Sequence, residues 1–145
     1  MEKKRNNFLL VCGILMIIGG AIALITNFVA LGAAKIAISL AEMAGEEFVA
    51  QVAQANLLHV AIIVGLIGSA VELVAGILGC VNASKPSGAG ACIVFGILTA
   101  LCTVASSAIS MAAGAEFGAL IFGLLLGLVL PVLYLIGAFQ NKKLA

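Results

Sequence analysis

The residues able to do chemistry in this 145-residue chain are few: six Glu and no Asp, one His, four Cys, one Tyr and no Trp. Five of the glutamates, Glu2, Glu42, Glu46, Glu47 and Glu116, flank or connect apolar stretches, whereas Glu72 stands inside one. If Leu57 to Asn82 is a single helical span, Glu72 sits about 4 Å from its midpoint at a rise of 1.5 Å per residue. An ionised carboxylate at that depth costs roughly 2.5–3.5 kcal/mol on the insertion scale. No Lys, Arg or His lies at a comparable depth, since His59 is thirteen residues away toward the other end of the stretch. Neutrality there requires a bound proton or a bound cation. Two chemistries suit such an acid: a protonatable coupling or cation-binding group on a transport path, or an interhelical hydrogen-bonding group that fixes packing or oligomer state. In protonated form it is a donor whose hydrogen bond Thr103, Ser106 or a backbone carbonyl can accept.

The other reactive side chains form no comparable grouping. Cys12, Cys80 and Cys92 fall near the same end of their respective apolar stretches, with Cys102 near the middle of its own. A three-thiolate metal site is conceivable from that common depth, but there is no CxxC and no nearby His, so buried packing thiols are expected instead. Their end of the chain is assigned below to the reducing side of the membrane, which disfavours disulfides. No nucleophile, base and orienter set, phosphate loop, EF-hand or dinucleotide-binding pattern occurs. No enzyme activity, cofactor or metal site is expected.

The elements that must position Glu72 follow from composition. Hydrophobic residues make up 64% of the chain and charged residues 9%, with a mean hydropathy of +1.32. An ordinary soluble domain has roughly 45–50% apolar and about 25% charged residues. The apolar excess must face lipid, and the net charge of +1 argues against a nucleic-acid partner. About 20 apolar residues cross the hydrocarbon core. The gaps between charges predict four spans, at 8–33, 57–82, 89–112 and 117–139, forming one membrane domain over 1–145. The fold class is an all-α transmembrane four-helix bundle. The alternating ten-residue pattern of an outer-membrane barrel is missing.

Orientation is read from Lys and Arg, which are enriched on cytoplasmic flanks. Six of the seven basic residues, Lys3, Lys4, Arg5, Lys85, Lys142 and Lys143, fall on one side; Lys35 falls on the other with Glu42, Glu46, Glu47 and Glu116. Both termini are expected in the cytoplasm and the protein in the plasma membrane. The first apolar stretch is longer than the 7–15 residues of a signal h-region, so it is expected to stay as an anchor. Residues 34–56 are Ala-rich and free of Pro. Lys35, Ser39, Glu42 and Glu46 recur on one helical face beside Ile36, Leu40 and Met43, and beyond Gly45 a second polar stripe runs through Glu47, Gln51 and Gln54. This predicts an amphipathic helical outer segment, either lying at the interface or extending the first two spans. Pro86 and the polar run around it predict a tight turn after the second span.

Lipid supplies no hydrophobic drive for helices to associate, so small residues must let backbones approach. At 100° per residue Gly65, Gly68, Gly76 and Gly79 fall within about 40° of Glu72 around the second helix. Cys92, Gly96, Thr99, Thr103, Ser106 and Ser110 make a small and polar seam on the third, and Gly13, Gly20 and Asn27 recur every seven residues on the first. The fourth carries Gly123 and Gly127, then Pro131, expected to kink it. These faces are expected to meet inside the bundle.

The layout of a longer first outer segment and short later turns is similar to that of claudins and other tetraspan proteins, but 34–56 contains neither Trp nor a Cys pair. Small multidrug-resistance transporters also combine four short helices with an embedded glutamate, theirs in the first helix rather than the second. Rotary-ATPase proteolipids share glycine seams around a buried acid but lack such an outer segment. GILGCVNASKP (76–86), ACIVFGILTAL (91–101) and LPVLYLIGAFQNKK (130–143) resemble stretches in small four-span membrane proteins of Gram-positive bacteria, a family that brings no established activity. The leading expectation is a non-enzymatic structural or interaction protein, with the bilayer, a second copy or another membrane protein as partner. The alternative is a small transporter or channel component using Glu72 with Thr99, Thr103 and Ser106.

Overall fold

The computed structural model describes residues 5–45 and 49–144. Four helices account for nearly all of them: α1 (Asn7–Met43), α2 (Val49–Asn82), α3 (Ala89–Ala112) and α4 (Phe117–Lys142), with a 3-10 turn at Pro86–Gly88 and no strand among the described residues. All four are long and apolar enough to cross a membrane. The chain is therefore a multi-pass membrane protein. Helices are packed in the ring order α1, α2, α3, α4, with the α1–α4 side the sparsest. Arg5, Lys85 and Lys142 mark the basic end of the bundle, and Glu42 and Glu116 the acidic end.

Residues 34–43 continue α1 and 49–56 begin α2, so the outer segment extends the first two spans rather than forming a separate surface helix. Its Ala-rich composition contains nothing to stop a helix before Gly45, whose φ of 91° ends α1 in the left-handed region. At 1.5 Å per residue α1 is about 55 Å long, well beyond a hydrocarbon core of about 30 Å. Gln54 on α2 reaches the α3–α4 turn, its Nε2 standing 3.7 Å from where a Cβ on Gly114 would be. The α1–α2 hairpin thus runs past that turn. Ile36, Leu40 and Met43 lie exposed on the projection. Glu2, Lys3, Lys4, Glu46 and Glu47, which enter the charge and stripe arguments above, lie outside the described residues.

The turn between α3 and α4 closes through paired bonds, Ala115 N–H to Ser110 O at 3.1 Å and Gly114 N–H to Met111 O at 3.0 Å, with Gly114 at φ 80°. This is the double bond pattern of a helix terminated by a left-handed glycine. At the basic end Lys85 N–H bonds Asn82 O, and Pro86 starts the 3-10 turn that reverses the chain into α3. α4 continues as a helix through Pro131.

Three asparagines lock the basic end. Asn6 caps α1 by accepting from Leu9 N–H (3.1 Å), while its Nδ2 donates to Gly137 O of α4 (3.0 Å) and its backbone N–H to Ala83 O just after α2 (2.8 Å). Asn141 Nδ2 donates to Asn82 O at 2.8 Å, and Asn82 Nδ2 reaches Cys92 Sγ at 3.7 Å. Beneath this clasp lies the core: Leu9, Cys12, Met16, Ala75, Cys92, Tyr134 and Ala138. Tyr134 is fully buried and donates its hydroxyl to Ala75 O at 2.6 Å.

Candidate functional site

The predicted glycine seam of α2 is where the bundle draws tightest. A Cβ on Gly76 would stand 2.7 Å from Gly13 O and 2.9 Å from Ile17 N, so α1 and α2 touch backbone to backbone there. Gly79 lies against the Tyr134 ring, Gly68 against Cys102, Gly96 against Leu135 and Tyr134, and Gly127 against the Thr103 methyl. Gly65 faces Asn27 and Ser106. Gly123 is different: it is exposed and nothing stands within 4 Å of where its Cβ would be.

Above the tight zone, toward the acidic end, the helices part around Glu72. The carboxylate Oε1 lies 3.3 Å from the Cβ position of Gly19, beside Leu130, which places it between α1 and α4. An inner cavity of about 200 Å³ is lined by Glu72, Asn27, Ser69, Thr103, Ser106, Ser107 and small residues of all four helices. That is room for several waters, and the lining is polar enough to hold them. A wider groove of about 510 Å³ lies on the α1–α4 side, walled by Gly19, Ile22, Thr26, Leu126 and Leu130. Ala23, Asn27, Glu72 and Gly127 line both. Cavity and groove therefore meet at the carboxyl, and the groove opens sideways between α1 and α4.

The polar lining is mostly engaged with itself. Asn27 Nδ2 donates to Ser69 Oγ (3.0 Å), which donates to Gly65 O (2.8 Å); Ser106 Oγ crosses from α3 to Ala61 O of α2 (3.0 Å). Of the hydroxyls expected near Glu72, Thr103 lines the cavity but donates to Thr99 O, and Thr99 is buried with its hydroxyl on Phe95 O. Neither is hydrogen-bonded to the carboxyl, and each donates its hydroxyl proton to the carbonyl one turn back, as threonines inside helices do. Among the described residues no hydrogen-bond or ionic partner holds Glu72. Thr99 does not line the cavity, while Asn27, Ser69 and Ser107 do. The seven-residue spacing that places Asn27 on the α1 seam is the signal by which it could have been found.

α4 adds a backbone group. Pro131 has no N–H, so the carbonyl of Gly127, four residues earlier, lacks its usual helical donor. Gly127 is at the wall shared by cavity and groove. Such released backbone is tolerated at membrane depth where it lines a cavity or is buried in protein. The cysteines do not converge: among the described residues no group of three His, Cys, Asp or Glu is placed to hold a metal. Cys80 Sγ points to Leu10 O at 3.9 Å and Cys92 receives Asn82.

No protein family, no curated protein and no solved structure matches this chain. The site and the fold must speak for themselves.

Proposed function

We propose that this multi-pass protein binds a proton or a cation at Glu72 and serves as a small transporter or a channel component of the plasma membrane, with its basic end in the cytoplasm. One observation carries the reading: Glu72 is not sealed against α3, as a packing residue would be, but opens onto a polar cavity continuous with a groove to the α1–α4 face. Asn27, Ser69, Ser106 and Ser107 give the site neutral polar groups. Such a lining suits a proton or cation held by one carboxylate. The orientation rests on Arg5, Lys85, Lys142 and Lys143 standing at one end. Nothing in this chemistry calls for a bound cofactor or an enzymatic step. The test is flux through liposomes of purified protein, wild type beside Glu72→Gln and empty vesicles. Proton or cation flux lost in Glu72→Gln with the fold intact is the expected result; equal flux in the two proteins, or none from either across several ions and pH gradients, overturns it.

A structural or interaction role has its own support in the exposed stripe of Ile36, Leu40 and Met43 on the projecting end of α1. Cysteine cross-linking from Leu40 in membranes tests it, the expected product being a specific adduct with a second copy or another membrane protein.

A further inference from the structure

The groove beside Glu72 constrains what can reach the carboxyl. Its mouth is at membrane depth and opens to the side, with rim residues Ile22 and Leu126 61% and 58% exposed. A small inorganic cation carries a hydration shell and does not arrive from hydrocarbon. A cation with an apolar body does, because its body gains from the lipid and its charge gains from the carboxylate. At about 510 Å³ the groove falls within the usual 300–1,000 Å³ of a small-molecule site. Its lining has the composition of such a site too, with aliphatic walls from Ile22, Leu126 and Leu130 and one charged group at the base. Gly19, Ala23 and Gly127 leave the space beside the carboxyl unfilled; a Cβ on Gly19 would already press on Glu72 and Leu130. Charge complementarity points the same way, since no Lys, Arg or His lines the cavity or the groove.

Resting on the reading of Glu72 as a proton or cation site, we infer that the α1–α4 groove binds an amphipathic organic cation that enters from the bilayer and exchanges with the proton on Glu72. The exchange balances: the cation brings one positive charge, the Glu72 carboxyl gives up one proton that leaves to bulk water, and the site stays neutral. The groups facing Glu72 are Gly19, Ala23 and Asn27 from α1, Cys102, Thr103 and Ser106 from α3, and Gly127 and Leu130 from α4. Cys102 is the one other ionisable side chain in the lining, and Cys102→Ala is the control for it.

The experiment is equilibrium binding of tetraphenylphosphonium to the full chain in lipid nanodiscs, with proton release followed by a pH indicator and triphenylphosphine oxide as the neutral analogue. Wild type and Cys102→Ala are expected to bind the cation with about one proton released, and Glu72→Gln to bind about thirtyfold more weakly without release, as expected when one partner of a desolvated charge pair is removed. Leu126→Trp, a substitution at the exposed rim that leaves the carboxyl untouched, is expected to weaken the cation while the pH-dependent carboxyl band of Glu72 in infrared difference spectra persists. Tetraphenylphosphonium binding unchanged in Glu72→Gln, or matched by the neutral analogue, overturns the inference as simple partition into an apolar groove. A titrating Glu72 band without cation binding overturns it while sparing the proton site. No titrating band and no binding overturns both. Cross-linking between Leu126 positions of two chains, with the groove closed to the cation, assigns the face to a second copy and overturns it as well.

Discussion

The two ends of this bundle are built from similar residues and packed in opposite ways. At the basic end Asn6, Asn82 and Asn141 tie the helix termini together, and Leu9, Met16 and Tyr134 lose all exposure. Toward the acidic end the buried residues are small, Ala34, Ala61 and Ser69, and the space between helices is cavity and groove. Since lipid does not push helices together, packing holds only where surfaces fit. The tight end is where backbone meets backbone at Gly13 and Gly76; the loose end is where Gly123 of α4 has nothing within 4 Å of its Cβ position. Glu72 sits at the boundary, one turn above the Tyr134 to Ala75 bond. A rigid base beside an open cleft is a fitting arrangement for a site that must admit and release something.

The largest effect should come from breaking the tight end. Gly76→Ala sets a methyl against Gly13 O and Ile17 N, backbone atoms that cannot turn aside, and should cost about 3 kcal/mol, the upper part of the usual overpacking range. Gly123→Ala, facing open space, should leave stability within about 0.5 kcal/mol. Reversible unfolding in mixed micelles measures both. Equal effects would show that the two ends do not differ in packing.

Next in size is Tyr134→Phe, which keeps the ring against Gly79 and Gly96 and removes only the hydroxyl bonded to Ala75 O. The carbonyl keeps its helical partner, so the cost should be about 1 kcal/mol. The same unfolding assay reads it, and a loss well above that would mean the hydroxyl positions α2 as well as bonding to it.

These contrasts were only partly legible in the sequence. The span at 89–112 coincides with α3, because Pro86 before it and Gly114 after it both act on the backbone and interrupt the apolar run. The ends of α1 and α2 are not readable in that way: hydropathy reports where lipid stops, while an Ala-rich stretch such as 34–43 stays helical in water-facing surroundings too. Glu72 stands out by type and depth, and the 100° arithmetic puts its glycine neighbours on one face. That Asn27 and Ser69 join it, and Thr99 does not, depends on the register of α1 against α2 and on hydroxyls choosing their own helix. The gap between α1 and α4 leaves no mark at all, because Ile22 and Leu126 would be equally suitable facing lipid, a core or a ligand.

Ser106 and Thr103 sharpen the comparison within the site. Ser106 bridges α3 to Ala61 O of α2, so Ser106→Ala should cost about 0.6 kcal/mol, the average for an interhelical bond in a membrane. Thr103 bonds only within its own helix, and Thr103→Val should be smaller still. The difference between them in the unfolding assay tests whether the cavity is braced by the bond across helices rather than by hydroxyl content.

The smallest change in stability should come from the residue with the most chemistry. Glu72→Gln keeps the shape of the side chain and, among the described residues, severs no hydrogen bond or ion pair. Its unfolding free energy should match wild type within about 0.5 kcal/mol at neutral pH, with the far-ultraviolet circular dichroism unchanged. Glu72→Leu, which removes every donor and acceptor, should be equally mild, whereas a protonated carboxyl that held helices together would cost about 1–3 kcal/mol on that change by leaving its partner unsatisfied. Stability measured on Glu72→Leu therefore separates a packing residue from a binding residue before any ligand is offered: a stable Glu72→Leu protein places the carboxyl in the open half of the bundle by energetics as well as by geometry, and an unstable one moves it into the tight half.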